Sequence, residues 1–78
     1  MELYGSFEEK GYRVDAFLDG GSGASSFLVR FYNSATNELI KEARVEMYHD
    51  PVFGVDIEDH EKLEDETNRL LSELEAIA

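Results

Sequence analysis

Apolar residues recur every second position along the first two-thirds of the chain and every third or fourth along the last third. In "YRVDAFLD" (12–19), Tyr12, Val14, Ala16 and Leu18 alternate with Arg13, Asp15, Phe17 and Asp19. A period of two predicts a strand with one face toward a core. "SFLVRFYN" (26–33) is rich in aromatic and branched residues and predicts a second strand. "ELIKEARVEMYH" (38–49) predicts a third. Its middle also suits a helix, but Val45, Met47 and Tyr48 favour extended chain. The intervening "GGSGASS" and "NSATN" have turn chemistry and hairpin length, so an antiparallel meander is expected.

The preceding "ELYGSFEEKG" has two readings. Leu3 and Phe7 fit an edge strand turning at Lys10-Gly11, whereas Ser6 and Glu9 have the spacing of a capping box for one helical turn. The strand is preferred, which makes the meander three-stranded or four-stranded.

Leu63, Thr67, Leu70, Leu74 and Ile77, with Leu71 beside them, form one apolar stripe at helical spacing. A helix from about Ile57 to Ile77 would be ~31 Å long, close to the ~30 Å of a nine-residue strand. One helix can therefore cover one sheet face. The expected fold class is α+β: an antiparallel β-meander with one long C-terminal helix packed on one sheet face, in a single domain spanning residues 1–78.

A chain of 78 residues buries only ~60% of its unfolded surface, so its core is small. The sequence has no cysteine, which excludes disulfides and thiol-based zinc or redox chemistry. Association with another copy or a partner is a common remedy for a small core. Apolar residues make up 42% of the chain, too many for a disordered acidic tail. No apolar run reaches the ~18 residues of a membrane span, and "MELYGSFEEK" lacks the basic start and apolar stretch of a signal peptide. A cytoplasmic location is the default expectation.

The net charge of −11 argues against direct binding to nucleic-acid phosphates and to anionic membranes. The charge is uneven. Residues 50–78 hold ten acids and two bases (−8), whereas residues 1–49 hold eight acids and five bases (−3).

Both histidines and many of these acids fall in "YHDPVFGVDIEDHEKLEDE" (48–66). Pro51 forces Asp50 into extended chain and helps end the third strand. Gly54 permits a turn. Asp56 is a natural N-cap, with Asp59 at N3 as a shorter stand-in for the usual Glu. Glu58, Asp59 and Glu61 suit the helix dipole, and Glu64, Asp65 and Glu66 read as a solvated face. Asp56, His60 and Glu64 share a helix face and have metal-ligand chemistry. Their spacing, however, matches neither the zincin nor the EF-hand pattern, and His60 borders the apolar stripe, where packing and hydrogen bonding are expected. No metal or cofactor is expected.

Catalytic chemistry is sparse. His49-Asp50 are neighbours at a strand end. There is no Gly-x-Ser-x-Gly elbow, and Ser22, Ser25 and Ser26 sit in a hairpin loop ill suited to positioning. "GGSGASS" precedes a strand rather than a helix, so it lacks the geometry of a phosphate cradle. A chain this small also struggles to enclose a pocket of ~300 Å³. No enzymatic activity is expected.

The sheet face opposite the helix carries the remaining signal. Alternation places Arg13, Phe17, Leu28, Arg30, Tyr32, Ile40, Arg44 and Tyr48 there. Tyr, Phe and Arg are enriched in protein interfaces. Asp15, Asp19, Glu42 and Glu46 share the face, so a half-polar surface laced by cross-strand ion pairs is the plainer alternative. RNA-binding sheets also combine aromatics with arginine, but the required RNP sequence is absent.

The expected function is that of a non-catalytic interaction domain. It would form a homodimer, or dock another protein, through Arg13, Phe17, Leu28, Arg30, Tyr32, Arg44 and Tyr48. The alternative is an acidic mimic of nucleic acid that inhibits a DNA- or RNA-handling protein, which would need helix carboxylates in a continuous ridge.

Overall fold

Lys10 and Gly11 both adopt positive φ, 55° and 84°. That is the pattern of the two-residue hairpin turns whose twist matches paired strands, and it settles the first segment as a strand. In the computed structural model, which describes residues 2–21, 24–49 and 54–77, β1 (Glu2–Glu9) and β2 (Tyr12–Gly21) flank this turn. β3 (Ala24–Asn33) and β4 (Leu39–Glu46) follow. All neighbours pair antiparallel, in the order β1-β2-β3-β4. The tip of the second hairpin, Ser22 and Gly23, lies outside the described residues, as does the stretch of Asp50 and Pro51 expected to end the last strand.

The third turn is built by asparagines. Asn33 Oδ1 accepts the amides of Ala35 (2.9 Å) and Thr36 (3.2 Å), and Asn37 takes φ 61°, a conformation Asn tolerates better than most residues. Ser34 then reaches across to the first turn, where its amide (3.0 Å) and hydroxyl (2.8 Å) both donate to the Gly11 carbonyl.

Register fixes the faces. Val14 pairs with Phe31, Ala16 with Val29 and Leu18 with Phe27; Phe27 pairs with Val45 and Val29 with Ala43. This is the face expected to meet the helix. β1 joins with a bulge between Leu3 and Gly5, which leaves Tyr4 as the extra residue. Its ring packs toward the core, 5.2 Å from the Phe27 ring.

α1 (Ile57–Ile77) runs across that face, with its backbone closest to β4. Gly54, at φ 106°, turns the chain into it. Leu63, Leu70 and Leu71 complete a buried core with Val14, Ala16, Phe27, Val29, Phe31 and Val45. Full burial of one such side chain contributes ~1.5–3 kcal/mol. Leu74 packs against the core but stays half-buried. Among the described residues, no helix is long and apolar enough to cross a membrane.

One boundary differs from expectation. The last strand ends at Glu46 rather than His49. Two residues of α1 capture the departing chain. Asp59, 1% exposed, accepts the amides of Tyr48 (2.5 Å) and His49 (3.2 Å), and Lys62 donates to the Glu46 carbonyl at 2.8 Å.

Candidate functional site

On the face away from the helix, cross-strand register arranges the side chains in rows. Leu3, Phe17, Leu28 and Arg44 form one row across all four strands. Ser6, Asp15, Arg30 and Glu42 form the next, and Asp19, Ser26 and Glu46 lie on the other side. An apolar row thus lies between two polar ones.

The structure brings together Arg13, Phe17, Leu28, Arg30, Tyr32 and Arg44 on this face, and it ties each arginine to an acid. Arg30 Nε meets Glu42 Oε2 at 2.8 Å, Arg44 Nη1 meets Asp19 Oδ2 at 2.7 Å and Arg13 Nε lies 3.6 Å from Asp15 Oδ1. Arg44 also reaches Ser26 Oγ (2.7 Å), and Arg13 bonds Asn37 Oδ1. The Glu42 hydrogen bond holds the Arg30 pKa above its already high ordinary value. The guanidinium planes cover aromatic rings: Arg13 lies 4.3 Å from the Tyr32 centroid, and Arg30 5.2 Å from that of Phe17. Such contacts at exposed sites are worth ~0.5–1 kcal/mol.

Two placements depart from the sequence reading. Leu28 is only 7% exposed, because it sits on an inner strand between Phe17 and the Arg44 stem. Tyr48 does not join the face. It lies beyond β4, and its ring, 64% exposed, sits 4.3 Å from Lys62 Nζ on the helix.

The opening turns of the helix are organised by hydrogen bonds within the fold. Asp56 caps the helix: its Oδ1 accepts the Glu58 amide at 3.3 Å, and its carbonyl accepts the His60 amide at 3.0 Å. Asp59 does not complete a capping box but holds the strand exit. Both imidazole nitrogens of His60 are engaged, Nδ1 with Tyr4 Oη at 2.6 Å and Nε2 with Glu64 Oε1 at 2.9 Å. Burial, and then the Glu64 charge, push the Tyr4 phenol above its ordinary pKa. Asp56, His60 and Glu64 therefore do not converge on a common point, and no metal-holding cluster occurs among the described residues.

Several helix carboxylates have partners. Glu66 and Glu73 clamp Arg69 (2.7 and 2.9 Å), Glu73 also faces Lys41 (3.8 Å), Glu75 meets Lys10 (3.4 Å) and Glu58 faces His49 (3.6 Å). Asn68, Arg69 and Ser72 interrupt the outer surface beyond Asp65, so the exposed acids Glu58, Glu61 and Asp65 align only along the first half of the helix.

Sequence reasoning missed two features. One is the Asp59 clamp, whose only signal was an acid four residues before Leu63, on the apolar stripe. The other is an open cleft of about 350 Å³ between β1 and α1. No protein-family model matches the chain, and neither a curated protein nor a solved structure matches it.

Proposed function

We propose that the protein is a non-catalytic interaction module that associates with a second copy of itself through the open sheet face. The apolar row of Leu3, Phe17 and Leu28 carries this reading. Leu3 is 56% exposed at its outer end, and no element among the described residues covers the row. The rows on either side supply arginines and carboxylates together, as a two-fold, self-complementary interface requires. Each guanidinium has five donors, so an arginine bound to an acid in its own chain keeps donors for a carboxylate of the other copy. The basic partners of the helix acids Glu66, Glu73 and Glu75 weigh against the nucleic-acid mimic.

Sedimentation equilibrium at tens of micromolar tests it. Wild type should run as a dimer. Leu3→Glu should run as a monomer with an unchanged melting curve, since position 3 is exposed and away from the core. A monomeric wild type overturns the reading.

A further inference from the structure

The cleft between β1 and α1 arises from two small residues and one bulge. Gly5 and its cross-strand partner Ala16 put no bulk on its floor; a Cβ at Gly5 would meet nothing within 4 Å. The helix leans toward β4, so its cover is thinnest over β1. Phe7 and Leu63 supply apolar walls, and Tyr4, hydrogen-bonded to His60, and Glu64, 2.9 Å from His60 Nε2, stand in a row along the lining. A fold with a small core would gain ~0.8 kcal/mol for each further methylene buried there, yet the hollow stays open.

We propose that this cleft binds a small organic amine, its ammonium group on Glu64 and the Tyr4 oxygen and its apolar body over Gly5, Phe7, Ala16 and Leu63. The charged groups of the lining set the sign of the ligand. Glu64 is its one carboxylate, and no lysine or arginine is among the described lining residues. A carboxylate only accepts, so a ligand ammonium would supply the protons it needs, whereas an anionic ligand would meet its charge. The Tyr4 and Phe7 rings beside the cleft also favour a cation, and the −11 charge of the chain concentrates cations near its surface. The proposal does not depend on self-association, which uses the other side of the sheet.

The test is a ¹H–¹⁵N titration with tryptamine and indole-3-acetate, which share a ring system and carry opposite charges at neutral pH. Tryptamine should shift the amides of Gly5, Ala16, Leu63 and Thr67 saturably, and indole-3-acetate should bind at least about tenfold more weakly. Glu64→Gln should weaken tryptamine by about fivefold. Its side chain is 62% exposed, so the fold should tolerate the change. Glu64→Lys should reverse the preference toward indole-3-acetate. Gly5→Leu should fill the hollow and abolish both titrations; if that variant does not fold, the Glu64 pair still decides the matter. Equal binding of the two ligands, insensitivity to position 64, or no saturable shift below about 10 mM would each overturn the proposal.

Discussion

Asp59 Oδ1 lies 2.5 Å from the backbone nitrogen of Tyr48, and through this contact the first turn of α1 holds the end of the sheet. The same carboxylate also accepts the His49 amide and is 1% exposed. Removing it would strand two backbone donors, at ~1–3 kcal/mol each where they are buried. Asp59→Ala should therefore cost about 3 kcal/mol in urea unfolding. Asp56→Ala, which loses an exposed cap, should cost about 1 kcal/mol. Equal losses from the two would contradict the clamp.

The core prediction separates neighbouring leucines. Leu70 and Leu71 are 6% and 2% exposed, so Leu70→Ala or Leu71→Ala should cost ~2–5 kcal/mol. That approaches the whole stability of a domain this small, at ~0.05–0.15 kcal/mol per residue. Leu74 is only half-buried, and Leu74→Ala should cost visibly less. Thermal melts rank the three, and a Leu74 variant as damaged as the others would misplace the helix face.

Tyr4 predicts a pH dependence. Burial and the Glu64 charge raise its pKa in the folded state, so the fold holds the phenol proton more tightly than the unfolded chain does. Below the ordinary value of about 10 both states are protonated and the contribution is complete. As pH rises past that point the unfolded chain ionises first, and stability falls until the folded phenol ionises as well. Above about pH 10, wild type should lose stability more steeply than Tyr4→Phe. Parallel declines in urea midpoints would remove the effect.

A fourth expectation concerns the first turn. Lys10 holds φ 55°, a conformation that costs most side chains energy and Asn less. Lys10→Asn produces the Asn-Gly pair favoured in such hairpins and gives up only an exposed contact to Glu75. It should raise stability by up to about 1 kcal/mol, or ~4–8 °C in melting temperature for a domain of this size. A lowered melting temperature would show that the Glu75 pairing matters more than the turn.

How far the sequence foretold the molecule depends on how far apart the deciding residues lie. Val14, Phe31 and Leu70 were legible because their faces follow from local period alone. Leu28 was assigned to the correct face, but its burial depends on Phe17 and Arg44 from two other strands. Tyr48 has strand propensity yet leaves the sheet, because Asp59 and Lys62, more than ten residues onward, bind the backbone beside it. Gly5 and Ala16 look unremarkable separately. The hollow they leave follows only from the register on either side of the Tyr4 bulge, which no short-range pattern encodes.

The strand order β1-β2-β3-β4 bears on how the chain finds its fold. Each strand pairs with its immediate neighbour in sequence, so every ladder closes across a short loop at little entropic cost. The long-range step is the docking of α1, before which Phe27 and Phe31 remain wet. Low average sequence separation speeds folding, and hairpin assembly followed by helix capture is the implied route. Substitutions at Leu63, Leu70 and Leu71 should then accelerate unfolding more than they slow folding, so the lifetime of the native state is governed chiefly by the hold of the helix.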